Sequence, residues 1–327
     1  MDGIRALCGK HKNEEETIMR KLLAILVALV LALSCFAALA EEEDEENYET
    51  GDATLDLVRN EDEIGDKELL VVSFGTSYND SRRLTIGGIE AAIEEAIPEF
   101  SVRRGFTAQI IIDHVERRDG IHIDNVTEAL DRAVANGVKT LVVQPTHLMH
   151  GIEYDELCET LAGYAESFEK VVVGEPLLTS DEDFDRVADI MIDLLAEYDD
   201  GQTALVYMGH GTEHESNKVY AQMQELLAAK GAENYYIGTV EAEPSLEDVI
   251  AAIKDKGYTR VVLRDMMVVC GDHANNDMAG DEEDSWKSIL TEAGYEVVPV
   301  LEGLGQVPEI QQIYVEHAQA AVAQTEE

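Results

Sequence analysis

Three residues far apart in the chain have the chemistry to hold a metal ion: His210, Glu241 and His273. Each follows an apolar run that reads as a buried strand. His210 comes after ALVYM at residues 204–208, Glu241 after YYIGTV at 235–240, and His273 after RVVLRDMMVV at 260–269. Gly271 lets the backbone turn just before His273. In open α/β sheets, ligands sit in the crevice beyond the carboxyl ends of the strands. Two neutral imidazoles and one carboxylate on one such rim would bind a divalent ion and leave coordination positions open for a substrate. Such long separations are no local metal motif, and the same three residues also read as ordinary polar strand ends. In the first half, His147 and His150 follow TLVVQP at 140–145 in the same way. They read equally as cleft groups or as strand-end histidines bonded to loop backbone.

The elements that would position these groups are periodic. Apolar runs of strand length alternate with helical patterns from Glu68 onward. Ile86, Ile89, Ile93 and Ile97 recur at helical spacing before Pro98. Asn125 and Glu128 have the spacing of a capping box. The best boundary is the polar stretch YDDGQT at 198–203, after which the order begins again. Residues 204–212 (ALVYMGHGT) echo VVSFGT at 71–76, and Gly271 falls where Gly151 falls in the first half. Strands alternating with helices imply parallel sheets covered on both faces. The expected fold is α/β: two similar Rossmann-like lobes, 68–198 and 204–327, with parallel sheets flanked by helices and a cleft between them. The last helix, beyond Pro308, is expected to cross back to the first lobe.

Composition excludes one class of partner. The 327 residues carry 24 Lys+Arg against 68 Asp+Glu, a formal net charge of -44. A chain that neutralises phosphates needs a basic face, so nucleic acid is not an expected partner. Met19-Arg20-Lys21 precedes an apolar run at 22–40, and Ala38-Leu39-Ala40 is a small-x-small site. Residues 1–40 therefore read as a signal peptide cleaved after Ala40, with translation starting either at Met1 or at Met19. The expectation is an exported, periplasmic or extracytoplasmic protein that meets a membrane only through an uncleaved signal. Residues 41–67 read as an acidic disordered leader. Cleavage would leave Cys158 and Cys270, both in apolar contexts suited to core residues.

From residue 69 to the C-terminus the chain resembles the anaerobic sirohydrochlorin cobaltochelatases, the class II tetrapyrrole chelatases of cobalamin biosynthesis. The resemblance rests on LVVSFGTSY at 70–78, RDGI at 118–121, and His147 with GIEY at 151–154. It continues through MGHG at 208–211, Val240-Glu241 with Pro244, GDHA at 271–274, NDMA at 276–279, DSWK at 284–287 and GLG at 303–305. It implies a lyase that inserts Co(II) into sirohydrochlorin in the cleft, with the metal held by His210, Glu241 and His273. Phe74 stands where His210 stands in the repeat, which fits one such site. The substrate carries many carboxylates, so an acidic protein needs a local basic lining. Arg82, Arg83, Arg103, Arg104, Lys218 and Arg264 are candidates, with Arg264 and the Arg103–Arg104 pair preferred, and His147 is expected to face the macrocycle. His150 and the export signal suggest a second reading, an envelope carrier of haem or metal that reuses the chelatase cleft. A homo-oligomer would be unsurprising.

Overall fold

Strand alternation sets up the layers. In β1 (Lys67–Ser73), Leu69 and Val71 face one core while Leu70 and Val72 face another. In β5 (Thr203–Gly209), Leu205 and Tyr207 likewise oppose Ala204, Val206 and Met208. Successive side chains of a strand point to opposite faces, so both sheets are apolar on both sides and must be covered twice. This computed structural model describes residues 50–62 and 64–326. The signal peptide at 1–40, its cleavage after Ala40, the start at Met19 and leader residues 41–49 lie outside the described residues.

The first sheet contains β1, β2 (Ser101–Phe106), β3 (Thr140–Pro145) and β4 (Lys170–Val173) in the order β2-β1-β3-β4. The second contains β5, β6 (Tyr235–Thr239), β7 (Arg260–Asp265) and β8 (Glu296–Val300) in the order β6-β5-β7-β8. All pairings are parallel. Each half thus reverses winding direction between its first and third strands, and the connections leave those two strand ends in opposite directions. A crevice opens there.

Two helices of the first lobe, α1 (Asn79–Leu84) and α2 (Ile86–Ala96), follow β1. After β2 come α3 (Gln109–Asp119), a helix without a clear apolar stripe in its sequence, and α4 (Val126–Ala135), opened by the Asn125–Glu128 capping box. Next are α5 (Ile152–Tyr164) and α6 (Asp181–Leu195). The second lobe carries α7 (Lys218–Ala229), α8 (Leu246–Ile253), α9 (Trp286–Glu292) and α10 (Pro308–Gln324). Among the described residues no helix is long and apolar enough to cross a membrane.

The lobes share one core. It runs from Leu69, Val71 and Val142 of the first sheet, through Val187, Met191 and Leu195 of α6, to Leu205, Tyr207 and Val262 of the second. Helix α6 packs on α7, and the Tyr207 and Tyr235 hydroxyls donate to the carbonyls of Met191 and Ile192, at 2.7 and 2.9 Å. Helix α10 returns to the first lobe, packing against α2, β3 and β4, and Tyr314 donates to the Thr146 carbonyl at 2.9 Å.

Two expectations need correction. From residue 50 the leader is built into the first lobe rather than disordered. The Asp80 amide donates to the Thr50 carbonyl at 2.7 Å, and Asp56, its side chain only 6% exposed, pairs with Arg82 at 2.7 Å and Arg104 at 2.6 Å. Its acidity is therefore partly a counter-charge for buried arginines. The second difference is that β7 stops at Asp265, although the apolar run continues to Val269. The carbonyls of Met267 and Val268 accept from the amides of Leu304 and Gly305, so this stretch pairs with a loop instead of a strand.

Candidate metal centre

The loops after β5, β6 and β7 bring His210, Glu241 and His273 together. One ligand atom from each lies within 4.8 Å of the others. The two imidazoles meet edge to face, with centroids 4.6 Å apart and planes at 88°. Glu241 approaches the His210 Nδ1 to 3.7 Å. All three side chains are part-exposed: 43% for His210, 55% for Glu241 and 32% for His273. An ion arriving from solvent can reach them without any prior opening.

Backbone packing fixes the first two. The Val240 and Glu241 amides donate to the Gly209 and His210 carbonyls at 3.0 and 2.8 Å. Gly211 has φ +86°, and a Cβ there would stand 2.8 Å from the Ala242 nitrogen. Only glycine lets the His210 and Glu241 loops close to this distance. The Gly211 amide donates to the Tyr220 hydroxyl at 3.2 Å, so α7 also holds this turn.

His273 opens a π-helical turn, Ala274–Met278, which brings Asp277 under its ring. The His273 Nδ1 donates to the Asp277 carboxylate at 2.6 Å. The His210 Nδ1 donates to the Gly211 carbonyl at 2.8 Å. Neither acceptor can donate, so in each of these bonds the proton sits on Nδ1 and Nε2 is the ring's remaining site for a ligand. A carboxylate behind a ligating imidazole orients it and raises its basicity. Asp277 was given no role from sequence, although its spacing of four from His273 was a usable signal. The loop is also tied across the cleft, because the Cys270 amide donates to Ser81 Oγ at 3.0 Å.

The first-lobe rim is different. Phe74, at the end of β1, is 46% exposed, and Ile110 and Ile152, near the ends of β2 and β3, are also exposed. His147 has both ring nitrogens buried without a hydrogen-bond partner among the described residues. Burial holds it neutral, with its pKa lowered to about 4 against a weaker opposing pull from Glu153. His150 is half-exposed, gives its Nε2 to Glu175 at 2.7 Å and lies edge-on to Tyr154. A cavity of about 280 Å³, lined by His150, His214, Thr179 and Lys218, lies between the loop after β3 and the start of α7.

The preferred arginines do not line the cleft. Arg104 is fully buried and saturated by Glu90 and Asp56. Arg103 bonds the carbonyls of Glu61 and Val102 at the edge of the first sheet. Arg264 is 2% exposed and reaches Glu302 with Nη1 at 3.0 Å. In each case a carboxylate or a backbone carbonyl outside the cleft has taken the guanidinium. Of the other candidates, Arg82 is buried and Arg83 pairs with Asp80, whereas Lys218 is exposed.

The profile of the family described as Cobalt chelatase (CbiK) matches residues 67–323. The chain belongs to the cobalt chelatase family. It is 34% identical over 256 residues to the sirohydrochlorin cobaltochelatase of Salmonella typhimurium, covering 78% of this chain and 96% of that protein. It is 29% identical over 259 residues to the sirohydrochlorin cobaltochelatase CbiKC of Nitratidesulfovibrio vulgaris, covering 79% and 91%. The solved structure of SirB from Bacillus subtilis with Fe3+ shares the fold, with a TM-score of 0.54 at 14% identity over 80% of this chain and 98% of that one. Cobalt chelatase membership and the two-lobed α/β fold agree with a trio of nitrogen and oxygen donors at the crevice.

Proposed function

We propose that this protein is a sirohydrochlorin cobaltochelatase, a lyase of cobalamin biosynthesis. The observation that carries the proposal is the convergence of His210, Glu241 and His273 within 4.8 Å at the strand ends of the second lobe. Co(II) is a substrate here, held by the two Nε2 lone pairs and the Glu241 carboxylate, and this donor set suits it. The macrocycle lies between the trio and the first-lobe rim, where exposed Phe74, Ile110 and Ile152 offer apolar contact to its face. Insertion forms metal–nitrogen bonds as two pyrrole N–H protons leave. Glu241, 55% exposed and attached to the site, accepts the two protons in turn once it releases the ion and passes each to solvent. Lys218, exposed at the cavity it shares with His150 and His214, is the one candidate cation left in solvent with no carboxylate partner among the described residues, and it is offered to a substrate carboxylate. His147 contributes as a neutral wall of the cleft, not as a charge.

The haem or metal carrier is not favoured. A carrier needs no open trio, and His150 already has a carboxylate partner on its Nε2. Export to the periplasm, with cleavage after Ala40, is part of the proposal and is supported by the 19–40 sequence alone. Mass spectrometry of the mature N-terminus tests it: a chain beginning at Glu41 supports export, and one beginning at Met1 or Met19 rejects it. The activity is tested by anaerobic absorbance of sirohydrochlorin with Co(II). Conversion by wild type that falls to the spontaneous rate in the His210→Ala, His273→Ala double variant is expected. Equal rates in both would reject the enzyme.

A further inference from the structure

We propose that His122, Asp124 and Glu128 form a second divalent-metal site on the first lobe, with a nitrogen–oxygen donor set suited to Co(II), Ni(II) or Zn(II). It lies in the α3–α4 connection, away from the trio on the second lobe. The three residues offer ligand atoms within 4.8 Å of one another. The His122 Nε2 is 3.4 Å from Asp124 Oδ1 and 3.8 Å from Glu128 Oε2. With metal–ligand bonds of about 2.1 Å, neighbouring ligands of a tetrahedral ion stand about 3.4 Å apart. The observed separations are close to that edge length, so little movement is needed to close on an ion.

The groups around the three are those that a bound metal needs. Glu116 Oε2 stands 3.5 Å from the His122 Nδ1, opposite the Nε2 that faces the carboxylates. Arg132 grips Asp124 from behind with two hydrogen bonds, at 2.6 and 3.0 Å. The Asn125 amide donates to Glu128 Oε2 at 2.9 Å within the capping box. Ligating carboxylates are usually hydrogen-bonded from outside in this way, and ligating histidines usually have an acceptor on the second nitrogen. Each carboxylate oxygen still has a lone pair for a metal. Four carboxylates, Glu116, Asp124, Glu128 and the Asp62 that also pairs with Arg132, against that one guanidinium leave a local negative charge that a dication would offset.

The backbone pre-forms the site. The Phe106 amide donates to the Asp124 carbonyl at 2.9 Å, fixing the connection to the end of β2, and the Asp124 side chain is 2% exposed. His122 and Glu128 are 44% and 46% exposed, so solvent ions reach them directly.

The test is titration with CoCl2 alone, without tetrapyrrole, followed by equilibrium dialysis and Co(II) d–d absorption. In the His210→Ala, His273→Ala background, one Co(II) per chain should remain bound. Adding His122→Ala should weaken that binding by about tenfold or more. Glu128→Gln keeps an acceptor for the capping box and should weaken it in the same direction. In the otherwise wild-type chain, His122→Ala should leave the chelatase rate unchanged, so this site and the chelatase assignment fail independently. No Co(II) binding in the double variant, or residual binding that neither substitution moves, would overturn the proposal.

Discussion

His147 carries a pH dependence that can be signed. Its folded pKa is lowered to about 4 by burial, against an ordinary value of 6.5. Between those values the unfolded chain binds a proton that the folded chain refuses. Stability from this group is therefore complete above pH 6.5 and is lost as pH falls toward 4. The full effect is about 3 kcal/mol as an upper bound. The melting temperature of wild type should fall more steeply from pH 7 to 4.5 than that of His147→Leu, and parallel curves would show that the ring is not held neutral. Asp277 acts through His273. Asp277→Asn keeps the shape but loses the charge-assisted bond, so Co(II) affinity at the trio should drop about 10- to 100-fold. Titration of the purified variant checks this, and an unchanged affinity would remove Asp277 from the site. Sequence placed the trio because each member follows an apolar run. It misplaced Arg104 and Arg264 because a guanidinium counts as a free charge until its carboxylate partner is known. Those partners, Asp56, Glu90 and Glu302, are distant in sequence, and no local pattern pairs them.

At the scale of elements, the segment at residues 50–62 shows what periodicity misses. It contains no long helix or strand, and only the 3-10 turn Ala53–Leu55 is regular. It is nevertheless tied to the lobe at several points, among them the Arg59–Glu90 pair and the buried carboxylate of Asp56, which reaches Arg82 on α1 and Arg104 on β2. Removing one partner of a buried ion pair leaves the other charge uncompensated and costs about 3–5 kcal/mol. Asp56→Ala should destabilise the protein by that order in urea denaturation, and a change below about 1 kcal/mol would return the segment to the role of a loose leader. Most strands and helices were legible because alternation and capping boxes such as Asn125–Glu128 are local signals. Helix α3 was not, because its first residues, QIII, give no helical stripe by themselves. The end of β7 was hidden because Met266 and Val268 stay apolar after the ladder stops. They are buried by a loop, and hydropathy cannot tell a loop cover from a strand neighbour.

The duplicated β-α order implied two similar lobes with a returning last helix, and among the described residues the largest core runs between those lobes. Cooperative unfolding follows from that shared core. Calorimetry should give one transition, not two. Tyr314→Phe removes the hydroxyl that joins α10 to the Thr146 carbonyl and should lower its midpoint by the equivalent of about 1 kcal/mol without splitting it. Two separated transitions would show that the lobes fold as units. The common core also decides what sort of machine the cleft is. Binding proteins with two sheets joined by flexible strands work as jaws that shut on their cargo. Here Tyr207 and Tyr235 pin the second sheet to α6, α10 is clamped on the first, and Ser81 bridges the rims. The walls of the cleft are therefore tied to a common core. A flat guest enters edge-on, between walls whose spacing is set by the packing beneath them and not by a hinge.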